Sequence, residues 1–478
     1  MSRTITIKRG LDLKLQGTAP RTLLSTPSSG ETSTYAWVPD DLPGLTPKMK
    51  VHVGDHVEAG DPILYDKQYP DVWVTAPVSG ELVAINRGAK RKIMSVEIRP
   101  DETQTQHTFS VDGLLEGDAS QLKTLLLQSG LWTLIRQRPY DRLADPAIAP
   151  RDIFVTAHLT APLAPEIDYL LEGREEELRI GLRALARLTE GKVYVGVAHD
   201  CPLTLPAEVE AVEVRGPHPA GNVGVLIDHL APINKGETVW TLRATDVVLI
   251  GRLLMTGHVD YTRRIAITGS HAAEHGYMDL LPGCRIESLG KLAQESCKAR
   301  VIAGDVLTGT QLTEERPFLP MSCDQITIIP DGSDRDELLG WAMPRLGDFS
   351  QSRTYLSWLM PRKRYTLDAR LKGGKRAMIM SHELQSVFPL DIYAEYLLKA
   401  IIAFDIDKME ELGIYEVAPE DFALCEFVDT SKMELQRIVR QGLDQLYKEM
   451  NQKSSLTGMG ERYRRRRAKD YDYYIICH

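Results

Sequence analysis

The sequence predicts a multidomain chain of α/β plus β class, on three observations. Its 478 residues suffice for about three domains of ordinary size, each with its own core. From about Gln121 onward, β-branched runs alternate with an amphipathic helical pattern, as in a parallel sheet crossed by helices. Before that stretch the chain reads as short strands and glycine turns, and after about Pro389 it reads as helix. The expected layout is a strand module over 1–100, an α/β domain over 101–262 and a small mixed β module over 263–330. A connecting β segment over 331–385, a helical domain over 386–452 and a basic tail over 453–478 follow.

In the first module, VHVGDHVEAGDPIL alternates apolar and polar residues around Gly54-Asp55 and Gly60-Asp61, which suit tight turns between short strands. Two such hammerhead-like halves make a barrel-sandwich. Within it, LYDKQYPDVWVTAPVSGELV (Leu64 to Val83) is similar to the carrier hairpin of biotinyl and lipoyl domains. It keeps the acid, the valine and the Ala-Pro-x-x-Gly turn, but Tyr69 stands where those domains acylate a lysine. Lys67 lies two positions early, on the same face but off the tip. The module is therefore expected to be biotinyl-like in fold and to carry no prosthetic arm.

In the second, DIFVTAHL, KVYVGV and AVEVRG read as strands, with PEIDYLLEGREEELRIGLRALARL as one helix between the first two. Ile167, Leu170, Leu171, Leu178, Leu182 and Leu185 recur at helical spacing along it. This βαβ unit is Rossmann-like, yet neither G-x-G-x-x-G nor G-x-x-x-x-G-K-[ST] occurs. GNVG at Gly221 lacks the second turn glycine, and SLGKL at Gly290 lacks the hydroxyl that would hold magnesium. No nucleotide is expected. His271-Ala-Ala-Glu274-His275 fits H-x-x-E-H, but it follows the strand-like RRIAITGS and runs into Gly276, so it reads as a turn rather than a zinc-binding helix. Beyond Leu280, turn glycines Gly283, Gly290, Gly304 and Gly309 punctuate short strands. In the terminal region Leu435, Ile438, Val439, Leu446 and Met450 form a packing stripe.

Composition narrows function. A net charge of -9 argues against general affinity for nucleic acid. No apolar run approaches the ~18 residues of a spanning helix, and MSRTITIKRG has no apolar signal core. The six cysteines contain no C-x-x-C pair, which speaks against a zinc knuckle or an iron–sulfur motif. The expectation is a non-spanning chain that stays unsecreted.

Several stretches together carry a more specific signal: IKRGLDLKLQG, GDPILYDKQYP with TAPVSGELVAINRG, GLWTLIRQRPYDRLADP, GPHPAGNVG, TVWTLRATDVVLIGRLLMTG, LLGWAMPRLGDFSQSRTYLS and FPLDIYAEYLLKA. In these the chain resembles, to about Met450, the A subunit of the sodium-translocating NADH:quinone oxidoreductase, and more distantly the C subunit of the Rnf complex and the flavin-binding NADH subunit of complex I. The resemblance implies that the small β module is a β-grasp (SLBB-like) unit. It further implies a peripheral subunit on the cytoplasmic side of the bacterial inner membrane, with five partner subunits and no cofactor of its own. The complex as a whole uses NADH, flavins, iron–sulfur centres and quinone to export sodium. The Rnf relative carries C-x-x-C-x-x-C-x-x-x-C in its helical region. Here only Cys425 remains, and the three later positions fall on Val428, Ser431 and Leu435. This loss disfavours the alternative of an Rnf-type electron-transfer subunit. No catalytic or metal-binding residue is expected. Candidates for quinone or subunit contact lie in LWTLIRQRPYDRLADP, where Trp132, Arg136 and Arg138 either seal a junction between modules or line a cleft. The tail ERYRRRRAKDYDYYIICH departs from the family pattern and reads as disordered, or else as a contact for anionic lipid.

Overall fold

The computed structural model describes residues 3–25, 34–295, 298–333, 348–351, 356–371 and 374–455. The tail expected over 453–478 lies almost wholly outside the described residues.

The first strand, β1 (Arg3–Thr6), does not join the strand module that follows it. It pairs in parallel with the distant segment Val212–Arg215 and forms an edge of the α/β sheet. From there the chain runs as a strap across other modules. Leu11 N–H donates to His218 O at 2.8 Å, Gln16 N–H to Tyr365 O at 3.0 Å and Leu24 N–H to Tyr277 O at 2.7 Å. The strand module itself starts at β2 (Tyr35–Trp37) and continues through β3 (Pro47–Met49), β4 (His56–Val57), β5 (Pro62–Asp66), β6 (Trp73–Thr75), β7 (Gly80–Arg87) and β8 (Ile93–Pro100). Two sheets, β2-β8-β7-β4 and β3-β5-β6, close over Trp37, Ile63, Val74, Leu82, Val96 and Ile98. The Trp37 indole N–H donates to Thr75 O at 2.8 Å, so its polar edge is satisfied inside the core.

Next come α1 (Ala119–Gln128), capped by the Asp118 carboxylate on Ser120 N–H, and the hairpin of β9 (Arg136–Arg138) and β10 (Arg142–Leu143). Then follow β11 (Ile153–Ala157), α2 (Ile167–Leu171), α3 (Glu175–Ala186), β12 (Val193–Val197), β13 (Glu210–Arg215), α4 (Val223–Leu230), β14 (Val239–Arg243) and α5 (Ala244–Thr256). The seven-stranded order is β1-β13-β12-β11-β14-β9-β10. Strand order reverses at β11, since β12 lies on one side and β14 on the other, so the crevice between the ends of β11 and β14 is the switch point of this sheet. The single helix expected from Pro165 to Leu188 is two helices. Gly173, at φ +79, breaks it, because the left-handed turn cannot continue a right-handed helix. α3 lies very close to α5: a Cβ on Gly251 would stand 1.7 Å from Glu177 O.

The third unit is a mixed five-stranded sheet, in order β16-β15-β19-β17-β18, of β15 (Arg263–Thr268), β16 (Gly276–Leu280), β17 (Ala299–Ala303), β18 (Thr310–Gln311) and β19 (Gln325–Pro330). Helices α6 (Glu383–Val387), α7 (Ala394–Ala403), α8 (Ile406–Glu411), α9 (Ala423–Val428) and α10 (Leu435–Ser455) follow and end the described residues. On α10, Leu435, Val439, Leu443 and Leu446 are fully buried, while Ile438 and Met450 pack at the margin. The connecting segment over 331–385, expected to be β, contains no strand among its described residues. Its described residues form the bridge of Tyr365 to Leu15, a 3-10 turn over Leu356–Leu359 and the start of α6, and their runs of charge leave no alternating apolar face to bury. Among the described residues, no helix is long and apolar enough to cross a membrane.

Candidate functional site

The tip of the β5–β6 hairpin is where a carrier domain would present its lysine. Here the tip is tethered. The Tyr69 hydroxyl donates to the Asp145 carboxylate and accepts from Gln68 Nε2 at 2.9 Å. Gln68 Nε2 also donates to the Tyr447 hydroxyl of α10 at 3.3 Å. Around Tyr447, the Arg142 guanidinium lies 3.4 Å from the ring centroid and Tyr140 meets it edge-on at 5.3 Å. Partial burial and the Asp145 carboxylate push the Tyr69 phenol well above its ordinary range, so it remains a neutral donor. Lys67 is exposed beside this joint. Three modules thus meet at the hairpin tip, and its side chain is a bonded anchor rather than a swinging arm.

The switch-point crevice is filled as well. Arg243 stands opposite Thr156 in the β11–β14 register, at the strand ends where doubly wound sheets take their ligands. It is bonded to Asp246 at 3.0 Å and to Asp324 of the mixed sheet at 2.9 Å. Arg263, also from the mixed-sheet unit, reaches Asp246 at 2.6 Å and Asp324 at 3.3 Å. Burial alone would raise the Asp246 carboxyl, but Arg243 and Arg263 outweigh it and hold the group down to about 2. Two cations and two anions join the two domains here, with Arg263, Asp246 and Asp324 buried and Arg243 at the partly open rim. A phosphate at this point would meet Asp246 and Asp324, so the residues present do not fit a nucleotide.

In the helical domain Cys425 is fully buried on α9, with Val428 and Leu435 packed in the same apolar cluster. Ser431 is buried too, its hydroxyl donating to Ala377 O at 3.2 Å. Burial pushes the Cys425 thiol up, away from the thiolate form that binds metal. One thiol among aliphatic side chains does not fit an iron–sulfur cluster. His271 and His275 fall in the turn between β15 and β16, with the His275 Nε2 2.9 Å from Gly269 O, and share no helical face.

Of the junction candidates, Trp132 is fully buried. Its indole N–H donates to Ala144 O at 2.8 Å, and its ring meets Trp240 edge-on at 5.0 Å. Arg138, 1% exposed, crosses to the helical domain, where its guanidinium donates to Glu416 O at 2.6 Å, Asp421 at 3.1 Å and Glu420 at 3.0 Å. These two side chains are committed within the chain, where Trp132 packs into the junction and Arg138 ties the α/β domain to the helices. Arg136, 3.5 Å from Asp141, keeps a half-open position. The sequence reading missed Asp145, Tyr447, Asp324 and Asp421. Asp145 lies inside the run LWTLIRQRPYDRLADP, but its partner is 76 residues away, a distance local pattern does not bridge.

Family models match for an NqrA N-terminal barrel-sandwich hybrid domain (residues 5–101), an NqrA second alpha/beta domain (residues 117–259) and an NQRA C-terminal domain (residues 264–314). Relatives named as the A subunit of Na(+)-translocating NADH-quinone reductase include one from Rhodopirellula baltica, 36% identical over 93% of this chain and 98% of its own length. One from Vibrio atlanticus is 34% identical over 93% of this chain and all of its own. One from Neisseria meningitidis is 35% identical with the same coverage. A solved NAD+-reducing [NiFe]-hydrogenase aligns at a TM-score of 0.34 and 13% identity, over 48% of this chain and 50% of that one. On the near full-length match to these relatives, the chain belongs to the family of Na(+)-translocating NADH-quinone reductase A subunits.

Proposed function

We propose that this chain is the cofactor-free, peripheral docking subunit of a sodium-translocating NADH:quinone reductase, bound to its membrane partners on the cytoplasmic side of the bacterial inner membrane. NADH oxidation, flavin and iron–sulfur electron transfer, and quinone reduction take place on the partner subunits. The single observation that carries the reading is the Tyr69–Asp145 bond at the carrier hairpin, which turns a delivery arm into a fixed joint between modules. The buried Cys425 and the Arg243–Asp246–Arg263–Asp324 cluster support it in the same way: each occupies with packed side chains a position where a related architecture would hold a group. Two measurements test it. The isolated chain should be colourless, and from detergent-solubilised membranes it should purify with a sodium-stimulated NADH:quinone reductase activity. A flavin spectrum, near-stoichiometric iron, or purification apart from that activity would overturn the reading.

A further inference from the structure

We propose that the loop over 356–364, with the basic cavity that it helps to line, is a membrane-surface contact: the apolar side chains enter the lipid interface and the cavity receives the phosphate of an anionic phospholipid headgroup. The loop is anchored at two points. The buried Ser357 hydroxyl donates to Ser350 O and accepts from Ser350 N–H, both at 3.1 Å. Buried Tyr365 donates its N–H to Lys14 O at 2.8 Å and accepts from Gln16 N–H at 3.0 Å. With Ser357 turned inward, Leu356, Trp358 and Leu359 are 43%, 54% and 57% exposed. Trp37, Trp132 and Trp240 are buried, and Trp73 is partly covered, with the Lys50 ammonium 3.5 Å from its ring centroid, so Trp358 is the one exposed tryptophan among the described residues.

Three basic residues, Arg362, Lys363 and Arg364, follow directly. A cavity of about 510 Å³ is lined by Lys14, Arg362 and Arg364, by the hydroxyl-bearing Thr18 and Thr160, and by leucines and alanines, with no carboxylate in its wall. Lys14 donates only to Pro361 O, at 2.7 Å, and Arg364 to Leu15 O and Thr18 Oγ1, at 3.4 and 3.1 Å. Among the described residues, therefore, no carboxylate neutralises either cation. In a chain of net charge -9, an unneutralised basic cavity next to exposed tryptophan and leucine matches the two components of a bilayer surface, its headgroup charge and its apolar interface. Trp358 and Arg362 are four residues apart, at most about 14 Å along the chain, so one patch of membrane can engage both. An acidic peptide would match the charge but not the exposed indole and leucines.

The proposal goes beyond membership of the complex and does not rest on it, because its test uses the purified full chain alone. The chain should float with vesicles of phosphatidylcholine mixed with phosphatidylglycerol and remain behind with phosphatidylcholine alone. Arg362→Gln and Arg364→Gln should each weaken vesicle binding about fivefold, and added salt should weaken it further. Lipids brominated in the upper acyl chain should quench tryptophan fluorescence in the wild type and not in Trp358→Phe. Unchanged melting of each variant shows that its fold is intact. Failure of the wild type to float, equal flotation on neutral vesicles, or full binding by the Arg362 and Arg364 variants would overturn the proposal. So would a melting shift caused by inorganic phosphate or by an acidic peptide without any flotation, since either result assigns the cavity to a different ligand.

Discussion

Tyr69 replaces the residue that a carrier domain would modify, and its hydroxyl both donates to Asp145 and accepts from Gln68 Nε2, whereas a lysine ammonium could only donate. Removing that hydroxyl in Tyr69→Phe keeps the ring and deletes the bond to Asp145. The expected loss is about 1 kcal/mol of stability, read from urea denaturation, with reductase activity of the assembled complex nearly unchanged and no biotinyl or lipoyl increment in the intact mass. Glu416 gives a second test at this scale. Burial, with Asp228 and Asp391 nearby, pushes its carboxyl up to about 7, against the opposing pull of Arg138. The folded chain therefore holds a proton on Glu416 that the unfolded chain has released, and the resulting stability, full below the unfolded value near 4.5, is lost as pH rises through 7. Glu416→Gln should gain about 1–2 kcal/mol over the wild type at pH 8, discounted for partial exposure, with little difference near pH 4. A melting curve of the pair across that range checks the sign.

At the scale of the elements, the strands β11 and β12 were legible as apolar runs because a strand buried on both faces needs such residues along its whole length, and β13 was legible by the alternation that buries Val212 and Val214. The helix break at Gly173 was not legible, since apolar spacing continues on both sides of it and a lone glycine is compatible with helix. No neighbouring atom lies within 4 Å of a Cβ placed on Gly173, so its φ of +79 is the only obstacle to a side chain there. Gly173→Ala should cost about 1–2 kcal/mol, measured as a lower denaturation midpoint without loss of secondary structure. The role of Trp132 was half legible: the sequence gathers large apolar groups at a junction, but only the fold brings Trp240 against it. Trp132→Ala should lower stability by about 3–5 kcal/mol, since it vacates a closed site and orphans Ala144 O. A variant that melts like the wild type would show that Trp132 does not seal the junction.

For the whole molecule, the modules meet through polar joints that sequence periodicity does not reveal. Tyr69–Asp145 ties the barrel to the α/β domain, Arg138–Asp421 ties that domain to the helices, and Arg243–Asp324 ties it to the mixed sheet. Such joints link residues far apart in the chain, so the sequence shows the parts and hides their assembly. Their burial sets how rigid the assembly is: removing one partner of the Arg138–Asp421 pair leaves a buried charge, a loss of the order of 3–5 kcal/mol rather than the value of a surface pair. The strand β1 adds a constraint in time. It is translated before its partner Val212–Arg215, which follows about two hundred residues later, and at about 5–20 residues per second this means a wait on the order of 10–40 s at the ribosome. During that interval the barrel can close, but the edge of the large sheet has nothing to pair with. The strand therefore stays open until β13 emerges, and a nascent chain that stops short of β13 keeps an unpaired strand exposed to aggregation and proteolysis.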